Sequence, residues 1–413
     1  MKKFCKSILL VLVVFLVSCG GGSKESGQLI GVLDRPGWKG INPYGMVYVG
    51  SGSLTVGQSD QDISSSYIQR PKTISIVGFY MDETEITNNE YRQFVEWVRD
   101  SLAHTYLDNI IEDDYGNTQI DWELDIDWED EILEDLYYQG DERLAGRKEI
   151  DVRQLIYKYE WINWQKTGER FAENRRDVIE EDETAIFPDT LVWIRDFAYS
   201  YNEPMTRNYF WHPAYDDYPV VGVNWQMAKA FCNWRTSFWN QWKTGKDDLQ
   251  TEDYRLPTEY EWEFAARGKK ELSMYPWGGY YTRNAKGCLL ANFKPGRGNY
   301  PEDGGYYTVK ASAYFPNDYG LYNMAGNVSE WTSSAFVENA QSYMHDNNPD
   351  IRYNSDENDP DSYKRKVTRG GSWKDISYYI QTGSRNYEYQ DTTNSFTGFR
   401  CVMTFLGRSI NDF

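Results

Sequence analysis

Glycine and asparagine interrupt the second half of the chain every few residues, and this pattern limits the fold more than any other feature. Stretches such as YPWG (275–278) and GLYNMAGNVSEW (320–331) leave no room for a long helix or a regular strand. Aromatic residues fill the same stretches, and the chain has 34 Tyr and 16 Trp. Large rings can pin irregular backbone by packing. We therefore predict a mixed α+β fold with little regular secondary structure, not a helical or doubly wound one.

Some short regular elements are still predicted. Runs of β-branched and aromatic residues beside glycine indicate strands at 46–49, 74–81 and 220–223. The mixed-charge stretch VRQLIYKYEWINWQ (152–165) is predicted to be helical in part.

Three helices have clear start signals. Thr87 with Glu90, and Thr258 with Glu261, form capping boxes, and Gly268 is the expected stop of the second of these helices. Apolar side chains at helical spacing follow the first box at Tyr91, Phe94, Val95, Val98 and Leu102. The third helix is capped by Asn224 and is predicted to direct Met227, Phe231, Trp234 and Phe238 toward a core.

The N-terminus has the layout of a bacterial lipoprotein leader. Three lysines precede an apolar run at 8–17, which is too short to cross a bilayer, and LVSC ends at Cys19. We predict a signal peptide at 1–18, lipidation of Cys19, a Gly-rich tether to residue 45 and a folded body from 46 to 408. An ordinary signal peptide with a chance cysteine is the alternative. Gly20 and Gly21 provide no acidic export tag, which favours the periplasmic face.

An insertion is predicted at about 101–217, between two parts of the body. From residue 100 to residue 142 it has no Lys or Arg. One interpretation is a solvated acidic loop, and the other is a partner-binding segment. Its large apolar side chains favour the second, because they are costly to expose: Trp122, Trp128, Leu133 and Tyr137.

Eight motifs occur in the order seen in the formylglycine-generating (sulfatase-modifying factor) family. They are MVYVGSG, DETEITNNEY, PVVGVNWQMAKAFCNW, RLPTEYEWEFAARG, YPWG, YGLYNMAGNVSEW, RGGSW and GFRC. The chain resembles this family over most of residues 46–401 outside the insertion. The resemblance implies the family's fold, an irregular α+β body related to C-type lectins.

The leader, the stretch GQLIGVLDRPGWKGINPYGMVYV and the acidic insertion together resemble a narrower group, the gliding-motility lipoproteins of the type IX secretion machinery. This resemblance implies an outer-membrane lipoprotein on the periplasmic face. It also implies a soluble partner of the GldN or PorN type and self-association in a ring.

The enzymes of the family use two cysteines between the GGS-aromatic motif and GFRC, a soft ligand pair suited to copper(I). No cysteine lies here between Cys288 and Cys401, and the two positions, counted back from Arg385, fall on Ser377 and Thr382. The three histidines His104, His212 and His345 are far apart in sequence and fit no metal-binding spacing. We predict no catalytic residues and no copper.

Structural calcium is the cofactor that the resemblance implies. The first site carries over to Asn323, Gly326, Val328 and Glu330, and the second to Asn292, Phe293, Asp303 and Gly305. Oxygen ligands of this kind suit a hard cation. In the first loop only Ser329 departs from the family, which usually has Trp there. The alternative is that Asn323 and Glu330 only hydrogen-bond the loop.

The family resemblance also implies a disulfide between Cys232 and Cys401, with Cys288 free. The second bridge of the family is absent, because Ala266 stands at one of its positions.

Three functions follow from the sequence. The first is a lipid-tethered, non-catalytic structural subunit. The second is an enzyme of the same fold, such as an oxidase, and the third is a lectin-like module for glycans. A formal charge of −20 excludes charge-driven binding to nucleic acid.

Overall fold

Two four-stranded sheets and three long helices organise the part of the chain that the structure describes. A computed structural model describes residues 42–407 except 58–70, 113–115, 117, 169–173, 198–203, 247–249 and 357. Cys19, the leader and most of the tether lie outside the described residues. The predicted fold class, a mixed α and β body with little regular structure, is confirmed.

The first sheet joins the two ends of the body. Its antiparallel strands are β1 (Met46–Val49), β4 (Phe79–Asp82), β14 (Val402–Thr404) and β9 (Tyr254–Arg255), in that spatial order. The strand predicted at 74–81 is in fact two strands, because β3 (Lys72–Ile76) pairs instead with β2 (Gly52–Val56). The break falls at Gly78, where a Cβ atom would come within 3.1 Å of the Tyr48 hydroxyl.

The second sheet holds the C-terminal motifs. It consists of β12 (Asn386–Tyr389), β11 (Arg365–Arg369), β10 (Ser329–Ala335) and β13 (Thr397–Gly398), again in spatial order. The β10–β13 pairing is parallel and the others are antiparallel. The motifs NVSEW and RGGSW therefore meet on neighbouring strands, although they are far apart in the chain.

The three predicted helices are present with their predicted starts. They are α1 (Asn88–Tyr106), α5 (Trp225–Thr244) and α6 (Glu259–Arg267), and both capping boxes form. Gly268 ends α6 in the left-handed conformation. One predicted core residue is wrong: Phe238 is 54% exposed, because the last turns of α5 extend past the core.

Shorter elements lie between α1 and α5. They are β5 (Ile110–Glu112), β6 (Thr118–Ile120), β7 (Ile156–Ile162), α2 (Trp164–Gly168), β8 (Ile179–Ala185), α3 (Val192–Asp196) and α4 (Met205–Asn208). Single 3-10 turns occur at Glu131–Leu136, Gly140–Glu142, Leu144–Gly146, Val152–Gln154, Arg175–Val178, Pro213–Tyr215, Tyr300–Asp303, Ala340–Ser342 and Asp361–Tyr363.

One of the sequence predictions in this region is right only in part, and another is wrong. The stretch 152–165 is helical at its ends, at Val152–Gln154 and from Trp164, but its middle is strand β7, which pairs with β8 over seven residues and buries Tyr157 and Tyr159 against α5. The stretch 220–223 is not a strand and joins no sheet. Gly222 turns the chain there with φ +75°, and a Cβ atom on it would lie 2.4 Å from the Asp189 carbonyl oxygen.

The acidic insertion buries some of its large apolar side chains and exposes others. Leu133 and Tyr137 are buried in a cluster with Ala103 of α1. The Trp122 ring stacks on Trp97 of α1, with 5.4 Å between ring centroids, and keeps 40% of its surface exposed. Three further apolar side chains are 48–53% exposed: Ile111, Leu124 and Ile132. Leu133 and Tyr137 therefore need no partner to cover them, and the partner-binding interpretation of the insertion stays a prediction.

Candidate functional site

The two loops predicted to bind calcium lie against each other. The Asn327 amide donates a hydrogen bond to the Asn292 carbonyl oxygen over 2.8 Å, and the Asn292 side-chain amide donates to Asn327 Oδ1 over 3.3 Å. Gly326 has φ +81°, and a Cβ atom there would sit 2.2 Å from the Asn292 carbonyl oxygen. Only glycine allows this contact. The structure thus brings the two predicted ligand sets into one region.

In the first set of predicted calcium ligands, Glu330 forms an ion pair with Arg400. Both of its oxygens accept hydrogen bonds from Arg400 over 2.7 Å, and Trp262 Nε1 donates to Oε2, also over 2.7 Å. All three side chains are buried. Asn323 differs, because its buried Oδ1 has no hydrogen-bond partner among the described residues. The first set fits calcium only in part, since the one carboxylate that it offers already neutralises an arginine.

The sequence prediction missed a second buried carboxylate in this region. Glu85 is fully buried, and its two oxygens accept hydrogen bonds from the Asn323 and Asn327 side-chain amides over 3.1 and 3.0 Å. Burial raises the pKa of Glu85 to about 8, with a smaller contribution from nearby Glu330, although Arg400 opposes the shift. Burial therefore favours the protonated form of this carboxyl group.

In the second set, Asp303 closes a loop. Its carboxylate accepts hydrogen bonds from the backbone amides of Phe293 over 2.8 Å and Gly305 over 3.0 Å. Burial raises the pKa of this carboxyl group. Gly305 lies close to Asn292, since a Cβ atom on it would be 3.0 Å from Asn292 Oδ1. No arginine or lysine pairs with Asp303 in the described region, so its oxygens keep lone pairs for a cation. The second set fits calcium better than the first.

The two positions that replace the family's cysteines lie in different environments. Ser377 is exposed, and its carbonyl oxygen accepts a hydrogen bond from the Tyr275 hydroxyl over 3.0 Å. Thr382 is fully buried, and its hydroxyl has no hydrogen-bond partner among the described residues. Its carbonyl oxygen accepts a hydrogen bond from Arg369 over 3.0 Å. In the part of the chain that the structure describes, neither hydroxyl hydrogen-bonds a carboxylate or a histidine that could activate it.

Buried arginines hold this segment to helix α6. Arg369 pairs with Glu263, which also accepts a hydrogen bond from Arg267 over 2.6 Å. Arg385 pairs in a fork with Glu259, one turn earlier on the same helix. Glu259 and Glu263 are four residues apart, so both acids lie on one helix face. This spacing could have identified them from the sequence as a pair of acids that bind the same segment.

The predicted disulfide partners are neighbours. The Cys232 and Cys401 sulfur atoms are 3.5 Å apart and both are buried, although they are not bonded to each other. Burial raises the pKa of Cys401. Cys288 is exposed. The structure therefore places the predicted pair together and leaves the bridge a prediction.

The histidines do not converge. His104 contacts Asn109, His212 caps a 3-10 turn, and His345 accepts a hydrogen bond from the Asn347 amide. Within the described ranges, no group of three or more His, Cys, Asp or Glu side chains is arranged to hold a metal ion. In the same residues, no helix is both long and apolar enough to cross a membrane.

Comparison with known proteins agrees with this architecture. Residues 39–405 match the sulfatase-modifying factor enzyme 1-like domain, so the chain belongs to the family that this domain defines. The formylglycine-generating enzyme of Bos taurus is 27% identical over 387 residues, which cover 90% of this chain and 78% of the relative. The inactive C-alpha-formylglycine-generating enzyme 2 of Bos taurus is 34% identical over 192 residues, or 45% of this chain and 50% of the relative.

A solved structure supports the same fold. PvdO from Pseudomonas aeruginosa superposes with a TM-score of 0.50 at 16% sequence identity, covering 87% of this chain and 94% of that one. At this identity the similarity shows the fold alone. The family contains both active enzymes and proteins named as inactive, so the activity has to be argued from the residues of this chain.

Proposed function

We propose that this chain is a non-catalytic, lipid-anchored outer-membrane subunit of the type IX secretion and gliding-motility machinery, of the GldK (PorK) kind. On this proposal it faces the periplasm, binds a GldN- or PorN-type protein and forms a ring with further copies of itself. The leader with LVSC at Cys19, the Gly-rich tether and the acidic insertion support the proposal.

One observation supports the non-catalytic part above all others. The segment between Cys288 and Cys401 has no thiol, and its two candidate positions are an exposed serine and a buried threonine. Hydroxyl groups are neutral, hard ligands that do not replace a thiolate pair for copper(I). The segment is held instead by buried Arg369 and Arg385, which is a structural role.

Incubation with a sulfatase-motif peptide, copper and oxygen tests this part. We expect no conversion of the peptide cysteine by mass spectrometry, while an active formylglycine-generating enzyme converts it in the same buffer. Turnover by this chain would support the alternative, an active oxidase. Retention on an immobilised glycan array would support the lectin-like alternative.

Purification from the native membrane in detergent tests the assembly. We expect a large complex that contains a second protein in a fixed ratio and appears as a ring in negative stain. A monomer that purifies alone would contradict the proposal. The variant Cys19→Ala should move the protein from the membrane to the soluble fraction, and unchanged membrane association would contradict the anchor.

The acidic insertion is the proposed partner contact, through its exposed charges and not through its buried rings. Glu123, Asp125 and Glu131 are exposed and make no ion pair within the described residues. Neutralising these three by amide substitutions should weaken co-purification of the partner. The matched control neutralises three exposed acids outside the insertion that also make no ion pair within the described residues, at Glu252, Asp356 and Asp391. Equal partner recovery from both variants would mean that the insertion is only a solvated loop.

Calcium completes the proposal as a structural cofactor and not a catalytic one. Asp303, with Asn292, Phe293 and Gly305, supplies the better oxygen set, and the loop of Asn323, Gly326, Val328 and Glu330 supplies the weaker one. A bound calcium ion would fix the loops against each other by charge and coordination. The segment between Cys288 and Cys401 offers copper no soft ligand pair.

A further inference from the structure

The C-terminal end of α5 presents aromatic rings to solvent. Phe238 is 54% exposed and Trp242 is 46% exposed, and a spacing of four residues puts them on one helix face. Phe238 stacks on buried Trp234, with 5.6 Å between ring centroids, and Trp239 stacks on Trp242 at 5.1 Å. The apolar stripe of the helix therefore continues beyond the point where the core covers it.

An exposed lysine lies on the outer ring. Lys246 Nζ is 3.9 Å from the centroid of the Trp242 ring. Lys243, whose Nζ is 5.7 Å from the centroid of the Trp239 ring, is only 2% exposed and is not part of this surface. We call Phe238, Trp242 and Lys246 the Trp-Lys tip. Tryptophan beside lysine is typical of a membrane-water interface, where the ring sits at headgroup level and the ammonium reaches the phosphates. Protein interfaces, in contrast, are depleted of lysine.

The tether enters the body close to this helix. Asn42 accepts a hydrogen bond from the Tyr80 hydroxyl of β4 over 3.0 Å. Two strands further along the same sheet, Tyr254 of β9 donates its backbone amide to Thr236 Oγ1 of α5 over 2.8 Å. Two strand spacings are about 10 Å. The 22 residues between Cys19 and Asn42 reach roughly 75 Å when extended, so an anchored Cys19 leaves the tip free to touch the same membrane.

We propose that the Trp-Lys tip docks on the phospholipid headgroups of the membrane that holds the lipid anchor. This inference rests on the anchor of the proposed function and adds a second contact that fixes the orientation of the body. A chain of net charge −20 is repelled by anionic lipids, so apolar insertion of Phe238 and Trp242 must supply the attraction. The exposed ammonium group of Lys246 then pairs with a lipid phosphate.

Quenching by brominated phosphatidylcholine tests the inference in the full mature protein. We expect vesicles of this lipid to quench part of the tryptophan fluorescence, and Trp239→Phe with Trp242→Phe to remove most of that quenching. The double variant with Phe238→Ser and Trp242→Ser should no longer dock on the vesicles, so the quenching should also disappear in this variant. Trp211→Ser is the matched control, because Trp211 is also 46% exposed, and it should leave the quenching unchanged.

Three outcomes would overturn the inference. The first is no quenching of the wild type, and the second is equal quenching in all variants. The third is a smaller complex when Phe238→Ser and Trp242→Ser are combined, which would make the tip a contact between copies of the chain. The mass of the N-terminal peptide measures acylation of Cys19 independently. An acylated protein without quenching would support the lipid anchor and contradict docking of the tip. Quenching of an unacylated protein would support docking of the tip and contradict the lipid anchor.

Discussion

Replacing Glu330 with Gln tests whether this side chain is an ion-pair partner or a metal ligand. The carboxylate accepts two hydrogen bonds from Arg400 and one from Trp262, each 2.7 Å long. The substitution preserves the shape of the side chain and removes its charge. Arg400 cannot turn to solvent, because it also donates to the carbonyl oxygens of Asp82 and Tyr322.

The expected cost follows from burial. Arg400 is fully buried, so Glu330→Gln leaves a guanidinium charge without its carboxylate, and such losses cost about 3–5 kcal/mol. Guanidinium denaturation at pH 7, with an unchanged slope, measures the change in the free energy of unfolding. Glu338→Gln is the matched control. Glu338 also pairs with an arginine, Arg365, but it is 65% exposed, so its loss should cost at most about 1 kcal/mol.

Two results would refute this reasoning. A loss below about 1 kcal/mol for Glu330→Gln would show that the buried pair does not hold the loop to β14. A calcium-induced rise in the melting temperature of the wild type that vanishes in Glu330→Gln, but persists in Asp303→Asn, would make Glu330 the metal ligand and the Arg400 pairing secondary.

Three further predictions concern the same core. Calcium should raise the melting temperature and EGTA reverse this, with the response lost in Asp303→Asn; an unchanged melting temperature in EGTA would count against both calcium sites. A non-reducing peptide map should link Cys232 to Cys401, and their joint replacement by Ala should cost roughly 5 kcal/mol for a loop of 169 residues; a link to Cys288 would contradict the pairing. Glu85 has its pKa raised from 4.5 to about 8, so the folded state keeps a proton that the unfolded chain loses. Stability measured in urea should therefore fall as pH rises through that window, and Glu85→Gln should flatten the fall; an identical pH profile would refute it.

The helices could be predicted from sequence because their signals are local. A capping box needs only Thr87 and Glu90, or Thr258 and Glu261, and both form as predicted. The apolar face of α1 follows from spacing within a single element. Phe238 was mispredicted because periodicity shows which face of a helix is apolar but not how far the core extends along it.

The strands were harder, since their pairing is non-local. Strand β7 does carry a strand signal, because Tyr157, Tyr159 and Trp161 alternate with the charged Lys158 and Glu160, and the helical prediction missed it. The partner strand β8 and the packing on α5 could not be predicted from that alternation. At 220–223, apolar residues lie in an irregular segment that joins no sheet. Gly222 takes a positive φ there, and the neighbouring Val residues do not predict this backbone conformation.

The candidate site shows the same difference between local signals, which the sequence carries, and contacts between distant residues, which it does not. The two ligand loops came from family motifs, and the structure does bring them together. Glu85 and Arg400 were not found, because the residues that they contact lie 70 or more positions away and nothing in the local pattern marks a buried charge. A motif can therefore identify the loops of such a site, while the charges that balance them appear only after the fold is known.

Loss of the thiols need not weaken this fold, because the segment that would carry them is stabilised elsewhere. Arg369 donates to the carbonyl oxygens of Thr382 and Ser384, and Arg385 donates to that of Val337. These bonds bind backbone, so they are indifferent to the side chains at Ser377 and Thr382. The segment can therefore lack the two cysteines while the arginines still hold its backbone against α6. This separation of scaffold from chemistry explains how one architecture can belong both to enzymes and to a chain that we propose only assembles.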